Sequence, residues 1–330
     1  MASATRYRTL TAAALATGAA VLLLFPLPAR AGSCCGGGGS GALVLPAAMK
    51  AMVDVTAEFE RYHGFWNQEG DHTPDPPGSD LNQYRLDLAA AGRISRRWQA
   101  GIFVPYVWNV NDYSGVSSRT DGIGDSSLSV WYAAIEERSA WKITEPLDLV
   151  PSVTVGPSLT IPTGISPYDD VSSSFDVTGR GFYRIDGNLL VEKTYQPVNA
   201  SLSASWGRHV ERPVNREYGK YTGPYRKRLG DRTSLSASAG YTLFLGTKGD
   251  KVTGTASFAY LEEGKGEIDG HRDPTSGFRK SSVGASLAWG STDHDWSVRA
   301  SWNHAIRQDG WGESFPTTDI YSLGVRYGIR

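Results

Sequence analysis

Apolar and polar residues alternate with period two along almost the whole chain, and this most constrains how it can fold. Segment 198–206 puts Val198, Ala200, Leu202, Ala204 and Trp206 on one face and Asn199, Ser201, Ser203 and Ser205 on the other. Segment 234–243 sets Leu235, Ala237, Ala239, Tyr241 and Leu243 against Ser234, Ser236, Ser238 and Thr242. The same pattern returns at 252–260, 282–289 and 296–303, and earlier at 83–90 and 98–108. An amphipathic helix needs apolar spacings of three and four, which these segments lack. They read as β-strands with one apolar and one polar face.

The alternation predicts strands at about 52–63, 82–95, 97–109, 125–135, 149–161, 179–191, 197–209, 232–245, 251–261, 279–290, 295–306 and 318–329. Most have the ~9–11 residues a tilted strand needs to cross a bilayer. Several end in Trp or Tyr, as expected of aromatic girdles at membrane interfaces. Long connections at about 64–81, 110–124, 162–178, 210–231, 262–278 and 307–317 alternate with shorter ones near 95–96, 136–148, 192–196, 246–250 and 291–294. Long loops outside and short turns on the periplasmic side are the pattern of an outer-membrane barrel. The expected fold is therefore all-β: an antiparallel transmembrane β-barrel of twelve strands with both termini periplasmic. Closure favours a barrel over an open sandwich, because an open sheet edge in lipid leaves backbone groups unsatisfied.

Export is expected from the N-terminus. Arg6 and Arg8 precede an apolar stretch from about Leu10 to Leu27, and Ala29-Arg30-Ala31 supplies a small-x-small cleavage site. Residues 1–31 thus read as a signal peptide, 32–50 as a flexible periplasmic leader and 51–330 as the barrel. An uncleaved membrane anchor is the alternative, though Pro26 and Pro28 interrupt the apolar run. After it, no stretch approaches the ~18 apolar residues of a membrane helix. A formal net charge of −1 offers no basic field for nucleic acid. Gly (38), Tyr (16) and Trp (10) are abundant, which suits strands whose polar half dilutes the hydropathy.

The C-terminal stretch Ser322-Leu323-Gly324-Val325-Arg326-Tyr327-Gly328-Ile329 is similar to the terminal strand by which bacterial outer-membrane proteins are recognised. It implies the barrel-assembly machinery as a partner and the Gram-negative outer membrane as the location. Here Arg330 follows, where the final residue is usually aromatic.

If the apolar files face lipid, the opposite files line the lumen. Candidate lumen residues are Asp54, Glu58, Glu60, Arg85, Asp87, Arg93, Arg184, Asp186, Arg299 and Arg326. Such charges either form a solute site or neutralise one another as filling. Mixed signs predict no strong selectivity between anions and cations. The basic loop 210–231, with Arg212, Arg216, Arg226, Lys227 and Arg228, either folds inward or lies outside against anionic lipopolysaccharide, the favoured expectation. The six histidines fall apart in the sequence, and no zinc-protease, phosphate-loop or nucleophile-elbow motif occurs. An enzyme is not expected, and no cofactor; an outer-membrane lipid hydrolase is the catalytic alternative.

The leader carries both cysteines, Cys34 and Cys35, followed by a glycine run. Paired thiolates suit a soft metal, but two ligands do not close a specific site. Lipidation of one cysteine is a second reading, for which Ala31-Gly32-Ser33-Cys34 lacks the usual Leu, and a tether that binds a periplasmic partner through its thiols is the third.

Two stretches carry a family resemblance. Gly122-Ile123-Gly124-Asp125 opens one strand, and Leu159-Thr160-Ile161-Pro162-Thr163-Gly164 closes the next. Together they resemble paired markers of an outer-membrane channel family named for the meta-pathway of phenol degradation. The resemblance implies a porin-like channel for small solutes, hydrophobic or aromatic ones among them. Gly-Asp and Pro-Thr-Gly are also good turn chemistry, so a structural role is an equal alternative.

Overall fold

The computed structural model describes residues 43–330 except 68, 139–140, 174, 246–248, 292, 294 and 307–315. Twelve antiparallel strands follow one another around a closed ring. They are β1 (Ala51–Trp66), β2 (Asp80–Arg93), β3 (Trp98–Tyr113), β4 (Val116–Ile123 and Ser126–Ile135), β5 (Ser152–Ile161), β6 (Arg184–Tyr195), β7 (Val198–His209), β8 (Arg232–Leu245), β9 (Asp250–Glu263), β10 (Phe278–Gly290), β11 (Trp296–Ala305) and β12 (Pro316–Ile329). Closure is made by β1 and β12, paired from Ala51↔Ile329 to Tyr62↔Thr318. That seam leaves no free edge, so strand backbone groups are satisfied between neighbours.

The two faces of the wall are inverted relative to a water-soluble core. On the outside Leu202, Leu287 and Leu323 are 50%, 58% and 56% exposed, whereas Glu60, Gln83 and Asn109 on the inside are 0%, 2% and 2% exposed. Apolar side chains outward and polar ones inward suit lipid as the outer solvent. Aromatic pairs mark the rims: Trp98 with Tyr132 and Trp296 with Tyr327 at the periplasmic end, Tyr106 with Trp108 and Phe59 with Tyr84 at the other. Trp98 and Trp108 share a face of β3 ten residues apart. On a tilted strand that is about 25 Å, the height of a barrel's apolar band.

Three connections expected as irregular loops are ordered hairpins. β3 continues to Tyr113 and turns through Ser114 and Gly115, both at positive φ, into Val116–Ile123. The same two-residue turn with positive φ at both positions recurs at Tyr218-Gly219, between strands Arg212–Glu217 and Lys220–Arg228, and at Asp269-Gly270. Its twist matches that of the flanking strands. The last two hairpins pair side by side into a small four-stranded sheet. Alternation did not reveal these extensions because they stand beyond the apolar band, where neither face meets lipid.

Two segments lie inside the wall. Residues 162–183, between β5 and β6, turn inward at the extracellular end. Val177 and Phe182 are buried there, and Phe175 packs on Tyr62, Leu81 and Tyr113. At the periplasmic end Leu43 and Leu45 are buried against Met52 and Ala91. Residues 43–50, expected as the end of a flexible leader, are therefore packed against the inner wall. Cys34 and Cys35 lie outside the described residues.

Candidate functional site

Strand parity brings the lumen candidates to one inner surface. Asp54, Glu58 and Glu60 project from β1 on the face of Met52 and Tyr62; Arg85, Asp87 and Arg93 share the face of Leu81 and Gln83 on β2. Arg184 and Asp186 lie inward on β6, Arg299 on β11 and Arg326 on β12. Most are already paired. Arg85 donates from Nη2 (2.6 Å) and Nε (3.1 Å) to Glu58 Oε2, and its Nη1 lies 3.4 Å from Glu60. Arg184 Nε donates to Asp186 at 2.7 Å, and Arg326 Nε to Asp54 at 2.8 Å. Arg93 instead holds backbone, donating to the carbonyls of Pro46, Met49 and Arg96. It thus fastens the leader rather than lining open space.

Between these charges the inner wall is a ladder of hydroxyls. Ser201 and Ser238, Ser203 and Ser236, and Thr242 and Thr253 meet across neighbouring strands at 2.7–2.9 Å. Cross-strand pairs of this kind satisfy the polar file without filling the lumen.

A hydrogen-bonded relay links the charges to the inward loop. Arg85 donates to Gln83 Oε1, Gln83 Nε2 to Asn109 Oδ1 at 2.7 Å, and Asn109 Nδ2 to the Val177 carbonyl at 2.8 Å. The two sequence markers meet at the root of the same loop. Thr163 Oγ1 donates to the Gly124 carbonyl at 2.6 Å, and the Asp125 carboxylate accepts the backbone N–H groups of Gly164 (3.2 Å) and Arg180 (2.7 Å). A Cβ on Gly179 would fall 2.2 Å from Asp125 Oδ1, so only glycine fits there. Gly164 faces Gly179 backbone to backbone, with a Cβ at 164 only 2.7 Å from the Gly179 Cα. The markers therefore act together as the clasp of an inward loop.

Arg180 then crosses to the far wall. Its Nη1 and Nη2 donate to the two Glu263 oxygens at 2.5 and 2.6 Å, and the guanidinium lies 5.8 Å from the centroid of the Phe278 ring. Such a fork-to-carboxylate match is the strong form of an ion pair. Sequence reasoning missed Glu263, Lys280 and His209, all buried on the inner face. Each continues the polar parity of its strand: Glu263 follows Thr253, Thr255 and Ser257; Lys280 precedes Ser282; His209 follows Ser205. Extending the alternation past its apolar partners would have found them. Arg180 carries no such periodic signal.

The basic hairpin sits over this loop. Arg212 donates to the Gly181 carbonyl at 2.6 Å and lies over the Tyr168 and Phe182 rings. Lys227 pairs with Glu217 at 3.1 Å, Arg228 with Asp231 and Glu267, Arg216 with Asp170, and Arg226 with Glu211. All five cations expected to face lipopolysaccharide thus have partners in the extracellular assembly. Burial pulls the Lys227 ammonium down, but Tyr168 and Glu217 outweigh it and hold it above the ordinary lysine range. Burial pushes the Tyr168 hydroxyl up.

Histidines far apart in sequence converge on the outer rim. His63 Nε2 and His304 Nδ1 flank the Asp319 carboxylate at 3.1 and 2.9 Å, and Trp302 Nε1 donates to it at 3.0 Å. His72 Nε2 lies 2.7 Å from the His63 carbonyl. Closure of β1 on β12 makes this meeting.

No protein-family model matches the chain, and no curated protein matches it in sequence. Among solved structures it is similar to an outer-membrane channel from Pseudomonas putida F1. The two share 12% identity over 87% of this chain and 97% of that one, with a TM-score of 0.65. The beta domain of a Bordetella autotransporter is similar at 12% identity over 85% of this chain and all of that one, with a TM-score of 0.51. At such identities the likeness is one of fold, the closed barrel of the bacterial outer membrane.

Proposed function

We propose that this outer-membrane barrel is a passive channel for small solutes. One observation carries the proposal: the twelve-stranded wall encloses hydroxyl ladders and paired charges where a structural barrel would carry a packed apolar core. What narrows the lumen is inserted chain, residues 43–50 at one end and 162–183 at the other. The solved channel of similar fold supports the same reading.

For the solute, we infer hydrophobic or aromatic small molecules. The paired markers around Gly124-Asp125 and Pro162-Thr163-Gly164 favour this class. Purified protein in planar bilayers is expected to show discrete conductance steps, more frequent once residues 32–50 are deleted. A silent bilayer, with deletion and with Glu263 replaced, would sink the channel.

A further inference from the structure

Two inward charges, Arg299 and Asp87, stand apart from the pairing that satisfies their neighbours. Arg299 makes no hydrogen bond or ion pair among the described residues, although it is partly buried in the wall. Its register explains the space around it. On β10 it faces Ala288, and on β12 it faces Gly324, so both flanking positions carry almost no side chain. The result is a cavity of about 80 Å³ lined by Asp54, Ala288, Ser297, Arg299, Gly324 and Arg326.

The surrounding groups are committed elsewhere. Asp54 Oδ2 accepts from Arg326 Nε at 2.8 Å, and Asp54 Oδ1 accepts from Thr56 Oγ1 at 2.7 Å. Glu58, the next carboxylate along β1, is taken by Arg85. Ser301 and Ser322, one step along the barrel, share a hydrogen bond. Among the lining residues two guanidiniums face one carboxylate, and Arg299 keeps its N–H donors free, although Asp54 and Glu58 attract it through space. The Ser297 hydroxyl also has no partner among the described residues. A planar carboxylate matches the donor fork of a guanidinium that has no protein acceptor.

From this geometry we propose that the cavity is a binding station for a monocarboxylate. The carboxylate would sit between Arg299 and the free nitrogens of Arg326, with Ser297 as a third donor. A cavity needs roughly 10–15 Å³ of water-accessible space to hold one water, so this one admits several waters or one carboxylate head. The remainder of a larger acid would extend into the lumen. A cation would meet two guanidiniums against one lining carboxylate. The proposal rests on the channel reading only in that a solute must reach the lumen.

The test compares benzoate with benzamide, its neutral isostere, by ligand-observed NMR on the full-length protein in detergent. Benzoate is expected to bind saturably and at least about tenfold more tightly than benzamide, a difference of one charge-assisted contact. Arg299→Gln is expected to abolish that preference, with heat-modifiable gel mobility reporting that the barrel is closed. Equal binding of the two probes by the unaltered protein would overturn the proposal whatever the variant does. An undiminished preference in closed R299Q protein would do so too. Liposome swelling with a neutral sugar separates the two hypotheses. Swelling without carboxylate preference removes the station and keeps the channel; preference without swelling does the reverse.

Discussion

The two insertions that narrow the lumen are anchored by different physics. The extracellular one, residues 162–183, is tied by a buried two-bond ion pair, by backbone N–H groups held on Asp125, and by two glycines in backbone contact. The periplasmic one, residues 43–50, is held by two leucines on Met52 and Ala91 and by a few neutral or singly charged donors and acceptors. Gln99 Oε1 accepts the Leu45 N–H at 2.6 Å, and Arg93 donates to the Pro46 and Met49 carbonyls at 2.8 and 2.9 Å. Removing one partner of a buried ion pair strands the other charge, whereas apolar docking weakens by increments. The extracellular insertion is thus expected to hold with the fold, and the periplasmic one, a candidate stopper, is expected to leave first.

The largest effect that could break this contrast comes from Glu263→Ala. Arg180 would be left without its carboxylate in a buried setting, at a cost of about 3–5 kcal/mol. The loop is expected to release while the barrel, closed by its own strand ladder, stays heat-modifiable. Limited proteolysis within 164–182 should rise by two orders of magnitude or so, a factor consistent with ~3 kcal/mol. A loop that stays as resistant as before would mean that the clasp at Asp125 alone holds it, and the contrast in anchoring would have to be redrawn.

That contrast also separates what the sequence disclosed from what it hid. Strand β8 spans the predicted 232–245, because period two is a local property that two neighbouring residues already express. Lumen charges such as Asp54 and Arg299 were legible by the same parity. The extracellular clasp was half legible: Asp125 and Gly164 stood out within paired markers, but only the fold brings them together and adds Gly179. The Asp319 cluster was hidden for the same reason, since His63 and His304 meet across the closing seam. The leader was read as flexible because its glycines come first, yet Leu43 and Leu45 were there to be counted as a two-residue apolar anchor.

A middle-sized effect tests the stopper. Burying a leucine contributes roughly 1.5–3 kcal/mol, so Leu45→Ala should shift the docked-to-released ratio of the leader by about one to two orders of magnitude. In planar bilayers the variant is expected to raise open probability toward that of protein lacking residues 32–50. Protease resistance of 162–183 should not change. If conductance is unaltered while the deletion still raises it, the leucine contacts are not what seats the stopper, and Arg93 carries the anchoring instead.

The smallest expected effect sharpens the comparison most, because it targets one hydrogen bond of the leader. Gln99 is buried on the inner wall, and in Gln99→Ala the Leu45 N–H loses its acceptor. One such bond contributes about 1 kcal/mol, so amide exchange across 43–50 should quicken by about fivefold. Exchange across 162–183 should remain at its original rate, since the relay that reaches that loop runs from Arg85 through Gln83 and Asn109 and does not include Gln99. Acceleration confined to the leader means that the two insertions open independently. Acceleration in both would reveal a coupling through β3, which carries Gln99 at one end and Asn109 near the other, and the stopper would then report on the extracellular loop.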